Sequence, residues 1–322
     1  MEQQAHEYRI ERYTTGKQAE WDSFVNASRN GTFLHRRDYM DYHADRFTDH
    51  SLMFYRGAEL IALLPAHTKE ECFCSHNGLT YGGLLLADGT TTAEVLCLFN
   101  IAKEYIQTNT DATKFIYKPT PYIYHRYPCE EDLYALFRCG ATVAERKVSS
   151  TIPLGRPLAI SGRRKLTESV KSRLNIIEEN DFTTFWNILG ERLQSKYNTS
   201  PVHSIEEITM LKERFPENIK LFCIADEDGD TLGGVVLFIT DNVVHMQYSA
   251  TTEEGRRISA LDLLYEYLIN THFNDKEYFD FGISVEDGGH HLNTGLIAYK
   301  ERLGGRAVVY DTYIIDYKQS CR

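Results

Sequence analysis

Along this chain the apolar positions switch between a strand-like spacing of about two and a helix-like spacing of about three and a half, and the series of switches occurs twice. Trp21 and Trp186 sit in aromatic-rich helical stretches, WDSFV and FWNIL. Phe47 and Phe215 each close a second helical stretch. Leu52 and Leu221 open strand pairs, SLMFYRGAELIALLPA and LFCIADEDGDTLGGVVLFIT. Thr92 and Ser259 stand near the starts of amphipathic helices, and Phe115 and Phe279 lie in the strands that follow. Each pair is separated by about 165 residues, so the chain reads as a structural repeat.

Each half predicts helix, helix, β-hairpin, strand, helix, strand, helix, strand. Turn residues mark the hairpins: Arg56-Gly57 in the first, Asp226 to Asp230 with Gly229 in the second. Thr91 with Glu94 predicts a capping box, and Val95, Leu98, Phe99 and Ala102 the buried face behind it. Ser259 with Asp262 predicts another, followed by the stripe Leu261, Leu264, Tyr265, Leu268 and Ile269. The fold class expected is α/β (α+β) in two tandem domains, 1–155 and 156–322. The boundary falls near LGRPLAISG (154–162). After it, GRRKLTESVKSR (162–173) holds five basic residues and one acid, either a solvated helix start or an anion-docking patch.

A length of 322 residues suits two domains. Hydrophobic content of 42% and charged content of 25% fit a soluble globular chain, and no apolar run approaches a membrane span. MEQQAHEYRIERY has no apolar core, so no signal peptide and a cytoplasmic location are expected. Seven cysteines at irregular spacing then read as free thiols, with Cys223 as core and Cys72-x-Cys74 as too little for zinc. A net charge of −11 argues against a broad nucleic-acid surface and leaves room for a local anion site.

Four places carry candidate chemistry. The loop TTEEGRRIS (251–259) brings Arg256 and Arg257 to a helix start at Ser259 and Ala260, a possible phosphate cradle. The plain alternative is that these arginines pair with Glu253 and Glu254. In the strand YFDFGIS (278–284), alternation puts Phe279, Phe281 and Ile283 on one face and Tyr278, Asp280, Gly282 and Ser284 on the other. Asp280 is a candidate base or orienting group, or a structural acid; Gly282 would admit a ligand close to the backbone. In GLIAYKERLGG (295–305), Tyr299-Lys300 stands where the first half has Tyr134-Ala135. A lysine there is a candidate for oxyanion stabilisation, or simply a surface charge. In SHNGLTYGGLLL (75–86), Tyr81, Gly82 and Gly83 are candidates to line a cleft, or to bend a strand. Glu286, Asp287, His290 and His291 share a polar loop, and no metal site is expected from them.

The ~165-residue repeat, SHNGLTYGG, the basic helix start after the linker, FDFG-I-S and G-L-x-x-Y-K-E-x-L-G-G together resemble the FemAB-type peptidyltransferases and, more closely, FemAB-like or BioF2-like acetyltransferases of the GNAT superfamily. The resemblance implies two GNAT-like domains, each a mixed, mostly antiparallel sheet flanked by helices, with a cleft where central strands splay. It implies transfer of an acyl or aminoacyl group to an amine, from acyl-CoA (acetyl-CoA) or from aminoacyl-tRNA, with no metal. Lys300 and Tyr299 match the aromatic-lysine pair of the peptidoglycan branch, whose lysine is considered catalytic. Arg256, Arg257, Ser259 and Ala260 would hold the donor phosphates, although the central glycine of the usual GNAT phosphate loop is missing. Asp280 or Tyr248 would orient the amine or accept its proton. The acceptor implied is a small molecule or a cell-envelope precursor, with tRNA as a possible partner. The alternative is a catalytically silent GNAT-like module that binds a glycan or lipid-linked precursor.

Overall fold

The computed structural model describes residues 8–155 and 167–318, in two compact units. Unit 1 comprises residues up to 148 with 285–291 and the stretch from 309 onward; unit 2 comprises 149–284 and 292–308. Residues 156–162 of the expected boundary, and residues 162–166 of the basic segment, lie outside the described residues. Two cations in the rest of that segment, Lys171 and Arg173, pair with Glu168 (3.3 Å) and Glu227 (2.6 Å).

Unit 1 begins with β1 (Tyr8–Arg12) and the helices α1 (Gln18–Ala27) and α2 (Arg37–Met40). Next come β2 (Thr48–Asp49) and the hairpin β3 (Leu52–Arg56) and β4 (Glu59–Leu64). Short strands β5 (His67–Lys69), β6 (Cys72–Cys74) and β7 (Leu85–Leu86) follow. Then come α3 (Thr92–Asn109), β8 (Lys114–Tyr117), α4 (Glu131–Arg138) and the long β9 (Thr142–Pro153). One antiparallel sheet runs β1-β3-β4-β7. In a second set of strands β8 pairs parallel with β6, which pairs with β5, which pairs with β2. The predicted box forms at α3: Thr91 accepts from Glu94 N, and the Glu94 carboxylate accepts from Thr91 N at 2.8 Å. Val95, Leu98 and Ala102 behind it enter a core with Phe54, Phe73 and Phe115.

Unit 2 repeats the order. It runs α5 (Glu168–Lys171), β10 (Asn175–Glu179), α6 (Thr183–Tyr197) and α7 (Ile205–Arg214), then the hairpin β11 (Ile219–Ala225) and β12 (Thr231–Ile239). After β13 (Val243–Thr251) come α8 (Glu253–Arg257), α9 (Ala260–Tyr267) and a π-helical turn over Leu268–His272. The chain continues through β14 (Tyr278–Ile283), β15 (Val285–Glu286), β16 (His291–Leu292), α10 (Thr294–Arg302) and β17 (Arg306–Asp316). The sheet of unit 2 is ordered β10-β11-β12-β13-β14-β9. All these pairs are antiparallel except β13–β14. Leu264, Tyr265 and Leu268 pack with Phe279 and Phe281 in its core.

Two features depart from the sequence pattern. A strand precedes the first helix of each half, β1 against β3 and β10 against β11. In addition, each unit takes a segment from the other half of the chain. Residues 149–153 of β9 pair with β14 inside unit 2, and residues 313–316 of β17 pair with β8 inside unit 1.

Candidate functional site

The site of unit 2 starts from a parting of strands. The parallel ladder between β13 and β14 has three pairs, Val243 with Tyr278, Val244 with Phe279 and His245 with Asp280. Both strands continue beyond it, β13 to Thr251 and β14 to Ile283. Each has a bulge just there: β13 opposite Val236/Leu237, and β14 between Asp280 and Ile283. A bulge inserts a residue and bends its strand, so two adjacent bulges separate the pair and leave polar backbone between them. Gly282 is the residue that makes the second bend, at φ +74°, a conformation a side chain disfavours. The bend also ends the expected alternation: Phe279 and Phe281 are buried, but Ile283 is 42% exposed.

Asp280 sits at the last rung of the ladder and is fully buried. Its carboxylate accepts from Ser149 Oγ, from Thr151 Oγ1 at 3.0 Å, from His245 Nδ1 at 2.9 Å and from the Gly282 amide at 3.2 Å. Four donors offset the cost of dehydrating the charge. They also fix the imidazole, because His245 donates through Nδ1. His245 was not among the residues singled out in the sequence. Its signal was the run His245, Gln247, Ser249, polar side chains at every second position of a strand whose neighbours are apolar.

Lys300 projects from α10 into the same bend. It is 4% exposed, and its Nζ donates to the carbonyls of Gly282 and Ile283, each at 2.8 Å. Burial lowers its pKa from 10.5 to about 8, while the Asp280 charge opposes that shift. An ammonium carries three N–H donors, so one remains beyond these two carbonyls. Ala135, at the repeat-equivalent position, is also fully buried, so the fold accepts a methyl group there. Near Lys300, the Ser284 Oγ is buried with no hydrogen-bond partner among the described residues.

Tyr299 and Lys300 are consecutive on a helix and therefore point about 100° apart. The Tyr299 hydroxyl donates to Asp262 at 2.9 Å. Tyr299, Asp262, Arg192, Arg256, Ser259 and Arg302 help to line a cleft of about 680 Å³ at the start of α9. The capping box predicted at Ser259 does not form. Ser259 sits at φ +59° with no side-chain cap, and Asp262 instead accepts the hydrogen bond of the Tyr299 hydroxyl. The first amides of α9 thus receive no cap from Ser259, whereas in unit 1 Glu94 closes the equivalent helix start. Arg256 and Arg257 lie on α8, where Glu253 (3.3 Å) and Glu254 (2.6 Å) hold them in exposed i,i+3 pairs. Ala260 is buried at the first position of α9. Arg192 and Arg302 come from α6 and α10, and no local motif marked them.

The remaining candidates have structural partners. Tyr248, on β13, shares a 2.6 Å hydrogen bond with His203 Nδ1 and meets Trp186 edge-on at 5.2 Å. Tyr81, Gly82 and Gly83 belong to unit 1. Tyr81 is buried, donates to Thr32 Oγ1 at 3.3 Å and lies 4.4 Å from the Tyr124 ring. A Cβ on Gly82 would fall 2.4 Å from the Ser75 carbonyl, so that glycine serves a close backbone approach.

The two-bulge parting of β13 and β14 and the start of α9, which Ser259 does not cap, both belong to unit 2. Residues 160–301 match the family model described as an acetyltransferase (GNAT) domain. That stretch of the chain is similar to a GNAT-type acetyltransferase domain. The fold of the whole chain is similar to those of three solved structures. The crystal structure of FemX aligns over 97% of this chain and 98% of its own, at TM-score 0.69 and 13% identity. L-PGS from Bacillus licheniformis aligns over 96% and 94%, at 0.58 and 10%. A tandem GNAT protein from the clavulanic acid biosynthesis pathway aligns over 98% and 100%, at 0.51 and 11%. No curated protein matches the chain. Among the described residues, no helix is long and apolar enough to cross a membrane, and no group of three or more His, Cys, Asp or Glu is placed to hold a metal.

Proposed function

We propose that this protein is an N-acyltransferase that joins an acyl or aminoacyl group to an amine on a small molecule or a cell-envelope precursor. The observation that carries the reading is Lys300: a buried ammonium at a strand parting, tied to two carbonyls, where the other repeat needs only alanine. Burying a lysine costs free energy that packing does not require, and such a cost persists where the charge is used.

In this reading the acceptor amine attacks the donor carbonyl as the C–N bond forms, and the thioester or ester bond breaks. The remaining N–H of Lys300 stabilises the oxyanion and then protonates the leaving group. His245, oriented by Asp280, takes the proton of the amine. Gly282 and Ser284 line the reacting end. The donor phosphates lie at the start of α9, near Ser259, Ala260 and Arg256, with Arg192 and Arg302 as added charge and Arg257 at the margin. Tyr299 holds Asp262 and shapes that cleft. Tyr248 keeps the strand in place through His203, and Tyr81, Gly82 and Gly83 have their part in unit 1. The donor is acyl-CoA, such as acetyl-CoA, or aminoacyl-tRNA, with no metal taking part.

Thermal unfolding with CoA, acetyl-CoA and longer acyl-CoAs tests the donor. A ligand at 100 times its dissociation constant adds about 2.7 kcal/mol of stability, a shift of several degrees. A shift that disappears in Arg256→Glu supports a CoA donor in this cleft. No shift with any thioester moves the donor to charged tRNA. Failure of both to be turned over would leave a silent module that binds a glycan or lipid-linked precursor.

A further inference from the structure

Unit 1 has a cleft that the transfer reaction does not use. Its volume is about 670 Å³, and it lies among α3, β8, α4 and β17. Three cations reach it from three elements: Lys103 on α3, Lys114 at the start of β8 and Arg138 at the end of α4. None of the three forms an ion pair with a carboxylate among the described residues. Among the described residues Arg138 donates only to the Tyr134 hydroxyl, at 3.3 Å, and its guanidinium lies 5.9 Å from the centroid of that ring. The acids nearby are few. Asp316 is, among the described residues, the one acid that lines the cleft itself, opposite Lys114 in the β8–β17 ladder, and Glu71 is taken by Lys318 and Thr113. The cleft is therefore cationic in a chain whose net charge is −11.

Its other components are rings. Phe137, on the last turn of α4, is 75% exposed. The Tyr317 ring carries Lys103 at 5.9 Å from its centroid. An exposed phenyl beside cations that hold no carboxylate suits a ligand with a flat apolar part and several negative charges. A fatty acid would satisfy only one of the three cations and would leave the ring without a flat partner.

We propose that this cleft of unit 1 binds a nucleoside di- or triphosphate, with the base against Phe137 and the phosphates among Lys103, Lys114 and Arg138. The site is separate from the donor cleft of unit 2, whose arginines belong to different elements.

Isothermal titration with ADP and GDP, with adenosine and inorganic pyrophosphate as partial probes, tests the proposal on the full-length protein. The variants are Lys103→Glu with Arg138→Glu, Phe137→Ser, and Arg256→Glu as the marker of the unit 2 cleft. All these side chains are at least partly exposed, and unchanged far-UV dichroism with a cooperative melt certifies each fold. The expected result is nucleotide binding weakened tenfold or more by the charge reversals and several-fold by Phe137→Ser, and kept in Arg256→Glu. Pyrophosphate should bind more weakly than ADP. No nucleotide binding, binding lost only in Arg256→Glu, or pyrophosphate equal to ADP would each overturn the proposal.

Discussion

At the scale of single residues, Lys300 separates a chemical role from a packing one. Ala at 300 is a shape the fold already accepts at Ala135. Lys300→Ala should therefore leave a folded protein whose turnover falls by about 10²–10³, the usual cost of one oxyanion donor. A Lys300→Ala enzyme with unchanged kcat would sink the mechanism. The pH dependence has a definite sign. A lysine titrating at about 8 gives up its proton as pH rises past that value, so turnover should fall on the alkaline side near pH 8. Lys300→Arg, always protonated, should remove that limb whatever activity it retains. Asp280 and His245 make a second test: Asp280→Asn keeps the size of the side chain but no longer holds the imidazole through a charge, and kcat should suffer more than KM.

At the scale of elements, the two equivalent helix starts differ in how their amides are satisfied. In α3 Thr91 and Glu94 cap each other, and Arg56 joins Glu94. In α9 Ser259 caps nothing. Thr91→Ala should cost about 1 kcal/mol by urea unfolding, whereas Ser259→Ala should stay within about 0.5 kcal/mol. Equal effects would mean that the two starts are capped alike. The difference follows from one backbone choice: at φ +59° the Ser259 side chain cannot turn back over its own helix, although the S-x-x-D spacing is present. Spacing establishes which residues are available for a cap, and the incoming chain direction decides whether they reach.

At the scale of the whole molecule, the two units differ in their sensitivity to acid. Unit 1 buries His67 and His76 against Phe47. Burial lowers their pKa from 6.5 to about 4 and about 2, with neighbouring Lys118 and His43 adding to the effect. Unfolding lets both rings take protons at their ordinary value. Stability is therefore undiminished by these rings above pH 6.5 and is lost as pH falls from there, toward 4 for His67 and toward 2 for His76. Each unit holds one tryptophan, Trp21 and Trp186, and the chain has two in all. Urea unfolding followed in Trp186→Phe should show the Trp21 midpoint falling steeply between pH 6.5 and 4, and His76→Phe should flatten that fall. A pH-independent midpoint would contradict the buried, neutral state of the cluster.

The repeat, the hairpin turns, the Thr91–Glu94 cap and the buried stripes were legible because each depends on residues close in the chain. Tyr299-Lys300 stood out for the same reason, since the other half offered Tyr134-Ala135 for comparison. Only the tertiary structure decided what those residues meet. The Asp280–His245 bond needs a parallel ladder between strands 35 residues apart. The Lys300 contacts need a bulge whose second strand bends at Gly282. Arg192 and Arg302 reach one cleft from helices with no shared motif. The exchange of residues 149–153 and 313–316 between halves rests on backbone pairing, which any sequence of suitable polarity can make. Local periodicity determined which elements form; long-range pairing, invisible to it, decided which side chains share a site.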